Sequence, residues 1–260
     1  MTHRFSGHDP SRGHDTAGVP WRGRTLTGTG FDGDTGEADA ALSALLGQHR
    51  DPGRPDPDPA ALVEAVSRAR LVVPIVAVPG EVDESSGIPV DASSDMASVT
   101  LVAPDGQRAL PAFTSTAALS AWNPQARPVP VTAQRAALAA VQEGCEVIPL
   151  DLAAPPGPAV YTLRPSMVRA LATARPWSPA HQDEQVASAV AAAVAAEPSV
   201  TGHGLEEGEH GALQVVLDLR PGLTQPQVHE LVTRVGQRVA ADDEARARID
   251  ALAFRLRASA

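Results

Sequence analysis

Apolar positions along this chain change period several times, and each change predicts an element. Ala38, Ala41, Leu42, Leu45 and Leu46 fall on one helical stripe, which predicts a first helix over 39–48. "DPGRPDPDP" at 51–59 follows as a stiff extended connector. Asp58 is placed to accept from free backbone N–H groups, Pro59 sits where its missing donor is harmless, and Leu62, Val66 and Ala69 recur on one face, predicting a helix that ends near Arg70. The β-branched run "LVVPIVAV" at 71–78 reads as a buried strand, with Pro74 demanding an edge or a bulge because it cannot donate to a ladder.

An acidic Ser/Gly/Pro loop covers 79–95, and "ASVTLVAPDGQRALPAF" then predicts a hairpin turning at Pro104-Asp105-Gly106. Ser115 or Thr116 caps a short helix that turns Ala118, Leu119 and Trp122 inward and stops at Asn123-Pro124. "PVPVT" is a strand, Thr132 caps a helix ending at Gly144, "EVIPLDL" and "AVYTLR" are strands, and Pro165 opens a helix to about Ala174. The pattern restarts at Trp177. A helix from Ser178-Pro179 carries Val186, Ala189, Val190, Ala193 and Val194, and "ALQVVLDL" is a strand. Thr224 and Gln227 form a capping box before the stripe Val228, Leu231, Val232, Val235 and Val239. Alternation of Leu252, Phe254 and Leu256 with Arg255 and Arg257 favours a closing strand, with an Arg-rich helix as the alternative. The expected class is α+β: two small mixed α/β units with mainly antiparallel sheets. Residues 1–57 are a disordered or loosely packed arm with one helix, 58–176 a first domain and 177–260 a smaller second one.

Composition supports that division. Of 57 Leu, Ile, Val and Phe residues only 7 lie in the first 57 positions, too few for that segment to fold alone. A formal charge of −10 opposes nucleic acid phosphates and anionic membranes, so neither is expected as a partner. Every cation is Arg and Asn occurs once, at Asn123, a skew typical of a GC-rich genome. One cysteine, Cys145, precludes an internal disulfide framework. With no signal-like apolar segment at the start and no window of about 18 apolar residues, the expected location is the cytoplasm.

Candidate chemistry is sparse. "GTGFDG" at 28–33 matches G-x-G-x-x-G but follows a poor strand, and Asp32 and Asp34 would repel a pyrophosphate. "DGDTGEAD" at 32–39 resembles a calcium loop, yet Glu37 stands where the sharp turn needs Gly and Ser43 where a bidentate Glu is needed. "GHGLEEGEHG" at 202–211 gathers His203, Glu206, Glu207, Glu209 and His210, read as a solvated hairpin turn, with metal binding left open. Cys145 lies between Glu143 and Glu146, which disfavour a thiolate, so it reads as a core residue. Arg164, Arg169 and Arg175 are spaced too unevenly for a basic strip and read as solvated. No nucleophile elbow, P-loop or zinc-protease motif is present, so no catalytic, cofactor-binding or metal residues are assigned and no cofactor is expected.

"WRGR" at 21–24, "RLVVPIVAV" at 70–78, "SDMASVTLVAPDGQRALPAFTSTAALSAW" at 94–122, "ARPVPV" at 126–131, "LDL" at 150–152 and "RPW" at 175–177 stand in an order and spacing that resembles the SseB (enhanced serine sensitivity) family, in its form in high-GC bacteria. The resemblance implies an α+β N-terminal domain, a smaller C-terminal domain and no agreed enzymatic activity. The expected function is that of a cytosolic, non-enzymatic interaction or regulatory module with a protein partner, its oligomeric state open. The alternative is a small-molecule (amino acid) sensor or an enzyme, with its site between the two domains. On the packing reading Phe113 and Trp122 enter one core while Ser115 only caps a helix, so Trp122→Ala should lower the melting temperature far more than Ser115→Ala.

Overall fold

The computed structural model describes residues 31, 33–78, 95–153 and 160–258. The chain divides into two units, residues 1–35 and 36–260, and the second carries all the elements below. Helix α1 (Ala40–His49) starts where the Asp39 carboxylate accepts from Leu42 N–H at 2.9 Å. It is not a loose appendage: Leu42 and Leu46 are fully buried in the core that also holds Leu62, Leu71, Met167 and Leu171. Helix α2 (Pro59–Arg68) has the expected Asp58 cap and buries Leu62, Val63 and Val66.

The strand expected at 71–78 is β1 (Arg70–Val78). It is central rather than an edge, flanked by β2 (Asp95–Ser98) and β5 (Arg127–Thr132), both antiparallel to it. Pro74 lies opposite Pro128, and Val72 opposite Pro130. Neither Pro128 nor Pro130 has an N–H, so these are the non-hydrogen-bonded pairs of the ladder, and the proline nitrogens face away from the partner strand. Pro74 therefore points at the other edge of β1. There the partner changes from Phe113, which exchanges hydrogen bonds with Val72 at 2.7 and 2.9 Å, to β2, whose pairing starts at Ile75. An interior strand accommodates Pro74 because it sits at that handover, a possibility that the edge-or-bulge rule omits.

The hairpin of β3 (Leu101–Val102) and β4 (Arg108–Ala109) is as expected, turning at Gly106 with φ +89°. Beyond it the chain threads between β1 and β6 (Ile148–Pro149), with Leu110 and Ala112 donating to the carbonyls of Val147 and Pro149. β6 in turn pairs with β7 (Thr162–Leu163). Helices α3 (Thr116–Trp122), α4 (Ala133–Gln142) and α5 (Pro165–Ala172) pack around this layer, the first two capped by Ser115 and Thr132 as expected. Phe113 and Trp122 do meet, with ring centroids 5.3 Å apart, in a small cluster with Val72 and Leu119; Phe113 is fully buried and Trp122 half-buried.

After a 3-10 turn at Ala180–Gln182, helix α6 (Glu184–Ala195) begins later than Ser178-Pro179 predicts, because the Asp183 carboxylate caps it through Gln185 and Val186 N–H. β8 (Val200–Glu207), β9 (Leu213–Leu219) and β10 (Leu252–Ala258) form a sheet in the order β10-β9-β8, with β10 parallel and β8 antiparallel to β9. Helices α6 and α7 (Gln225–Ala241) bury Val190, Val194, Leu231 and Val235 against Val215 and Leu217 of β9, and the short α8 (Asp243–Arg246) leads into β10. The fold is α+β with small, mainly antiparallel sheets. Among the described residues no helix is long and apolar enough to cross a membrane.

Candidate functional site

A groove of about 820 Å³ opens between α2, the start of α4 and the chain leaving α5. Ala60, Val63, Leu171 and Trp177 supply its apolar surface, while Asp58, Glu64, Arg68 and Arg175 supply its charges. The local sequence explains each placement. α2 buries Leu62 and Val66, which turns Glu64, Ser67 and Arg68 outward. α5 ends at Ala172, Ala174 takes φ +51°, and the chain doubles back so that Arg175 N–H bonds Ala170 O at 2.9 Å. Trp177 is thereby laid along α5, 9% exposed, its indole N–H donating to Ser166 Oγ at 3.0 Å.

Two cations in the groove differ sharply. Arg68 is ion-paired one turn along its own helix with Glu64 at 2.5 Å. Among the described residues Arg175 has only a long 3.4 Å hydrogen bond to Pro176 O and a 4.0 Å approach to Asp183. Burial, then the neighbouring Arg248, pulls its pKa below the usual arginine range, though a guanidinium stays charged at neutral pH. The two groove hydroxyls are occupied: Ser67 donates to Glu64 O at 2.7 Å, and Thr132 accepts from Arg135 N–H as the α4 cap.

Polar groups deeper in the protein are consumed by the scaffold. Asp151, at φ +52°, accepts from Thr114 N–H at 2.7 Å, from the Thr114 hydroxyl at 2.9 Å and from Arg50 at 3.0 Å. Asp250 caps α5 from the far end of the chain, taking Ser166 N–H at 2.7 Å and Ser166 O–H at 2.8 Å, with Arg164 Nε 3.2 Å away. Arg164 also donates to His210 O at 2.8 Å, and that reach requires Gly211: a Cβ there would stand 1.4 Å from Arg164 Nη1.

Several residues singled out in the sequence land elsewhere than expected. Arg164, Arg169 and Arg175 are not merely solvated; they reach His210, Arg246 and Asp183 in the C-terminal part. Residues 202–207 form strand β8 rather than a loop, so alternation puts His203 and Glu206 on opposite faces, and Glu206 pairs with Arg255 and Arg257. His210 is exposed beyond the strand, and among the described residues no three His, Cys, Asp or Glu gather as a metal-binding group. Cys145 is 4% exposed, with its pKa raised by burial against the lowering effect of Arg108. Asp39 serves as the α1 cap, and most of the 28–33 fingerprint lies outside the described residues. Asp151, Asp183, Glu197 and Asp250 were not singled out. Only Asp183, just ahead of an apolar helical stripe, had a readable signal, as an N-cap.

Together these features define an α+β scaffold whose buried acids and hydroxyls hold the fold and whose open groove combines paired charges with an apolar wall. Residues 42–170 match the SseB protein N-terminal domain, and the chain belongs to the SseB family. No curated protein and no solved structure matches the chain.

Proposed function

We propose that this chain is a non-catalytic, cytoplasmic interaction module that docks a protein partner in the groove beside α2. The observation that carries this reading is the division of labour among polar groups. Thr114, Ser115, Ser166 and Asp151 are committed to backbone and side-chain hydrogen bonds, and none of them lines the groove. The groove itself offers an apolar wall with charges at intervals, a composition suited to a segment of polypeptide rather than to bond-making. A photo-reactive side chain at Ser67, in the groove, should yield one reproducible adduct with a cellular protein, competed by unlabelled chain and absent when the same group is placed at the exposed Gln237 of α7. Equal labelling from both positions, or none from Ser67, would overturn the reading.

A further inference from the structure

We infer that the groove reads a carboxylate at the end of an apolar partner segment, with Arg175 as the anion-binding residue. This rests on the reading of the groove as the docking site and specifies what is docked. Most arginines described near it are spent. Arg68 is held by Glu64, and Arg248 lies against Asp183 at 3.3 Å and pairs with Glu244. Arg175 differs. Its side chain is 27% exposed and lines the groove, and on the rest of the described chain its guanidinium makes only a long 3.4 Å hydrogen bond to Pro176 O and a 4.0 Å approach to Asp183. Asp183, the nearest acid, is already engaged: it caps α6 through two N–H groups and faces Arg248. A guanidinium carries five N–H donors, so most of those on Arg175 are free to meet an acceptor in the groove.

Charge and shape select the acceptor. A planar carboxylate takes two parallel N–H groups from a guanidinium, a match that a lysine would not reproduce. A dianion such as phosphate would meet the carboxylates of Asp58 and Glu64 in the same groove. A single negative charge on an apolar stem carries less of that repulsion and has Ala60, Val63, Leu171 and Trp177 for its stem. The terminal carboxylate of a protein segment with small apolar last residues satisfies both conditions.

Calorimetry on the intact chain tests this with acetyl-Ala-Val-Ala-Leu-Ala ending in a free carboxylate, the same peptide ending in an amide, hexanoate, and inorganic phosphate. The acid peptide should bind at least ten-fold more tightly than its amide and than hexanoate. That preference should fall several-fold in Arg175→Lys and persist in Arg220→Gln, which lies outside the groove. The wild-type acid-against-amide comparison needs no variant, so it holds even if Arg175→Lys folds poorly. Equal binding of acid and amide, tighter binding of phosphate, or no binding of the acid at millimolar concentration would each overturn the inference. With the Ser67 adduct intact, such a result removes the carboxylate and leaves the docking role. Hexanoate matching the acid peptide overturns the protein terminus as the source and points to a small carboxylate.

Discussion

Between Gly36 and Trp177 the backbone order comes mostly from short strands joined by isolated pairings. β3, β4, β6 and β7 span two residues each, and the gaps between them are closed by Phe113 against Val72 and by Ala112 against Pro149. Buried side-chain knots hold such a layer together, Asp151 with Thr114 and Arg50 foremost. From Ser178 to Ala258 the arrangement is different. Strands of seven or eight residues form one sheet under two amphipathic helices, and the buried Glu197 ties the end of α6 to α7 rather than joining strands. The first region spends polar groups on making irregular backbone possible, and the second relies on continuous apolar layers. One substitution in the right place should therefore disrupt the first region more than any polar change disrupts the second.

The largest effect is expected at Phe113. It is fully buried and its backbone carries the pairing to Val72, so Phe113→Ala should cost about 3–5 kcal/mol in urea unfolding. Amide exchange should rise first along 71–73 and 110–114, with β9 retaining its protection. Simultaneous loss in both regions would erase the distinction between them.

Asp250→Ala comes next, at about 3 kcal/mol, because it strips the cap from α5 and leaves Arg164 without its acid. Asp250→Asn keeps an acceptor for Ser166 N–H and should lose roughly half as much. Since Trp177 donates to Ser166, its fluorescence should shift to the red in Asp250→Ala before global unfolding. An unshifted spectrum would mean that the two regions are not coupled through this knot.

Glu197 tests the second region through pH. Its carboxylate, 6% exposed, takes two bonds from Arg234 and one from Arg238, and these hold its pKa at about 2, below the usual carboxylate range. A depressed carboxylate pKa stabilises the fold above the unfolded value near 4.5 and loses that contribution as pH falls through about 2. Glu197→Gln should thus be less stable by about 2 kcal/mol at pH 7, discounted for the partial exposure of both arginines. The gap between variant and wild type should close between pH 4.5 and 2. A gap independent of pH would assign the loss to packing.

How far the sequence carries the fold follows from the range of each interaction. Caps at Asp58, Ser115 and Thr132 were readable because donor and acceptor lie within three residues. β9, α7 and β10 were readable because one apolar period persists over a whole element. β8 was not: Gly202, Gly204 and Glu206 share the face away from the helices, and together with His203 they break the alternation that marks a strand. Pro74 was read correctly as unable to donate but placed wrongly, since its partner change depends on Phe113, far along the chain. The Asp250 cap spans 84 residues and leaves no local trace. The groove was legible only as "RPW", which entered as a family signature and not as a surface.

The smallest effect separates a cap from a half-buried aromatic within the first region. Ser115 Oγ accepts from Ala118 N–H at 3.0 Å and is half-exposed, so Ser115→Ala forfeits one cap bond, about 1 kcal/mol. α3 keeps a second anchor regardless, because Thr116 N–H donates to Gly36 O at 2.9 Å. In a chain of this length that loss should lower the melting temperature by roughly 2–4 °C. Trp122 is half-buried against Phe113, so Trp122→Ala should lower it by at least about twice as much. Equal drops would mean that the indole adds no more than one hydrogen bond does, and that the Phe113 cluster is closed by Leu119 and Val72 alone.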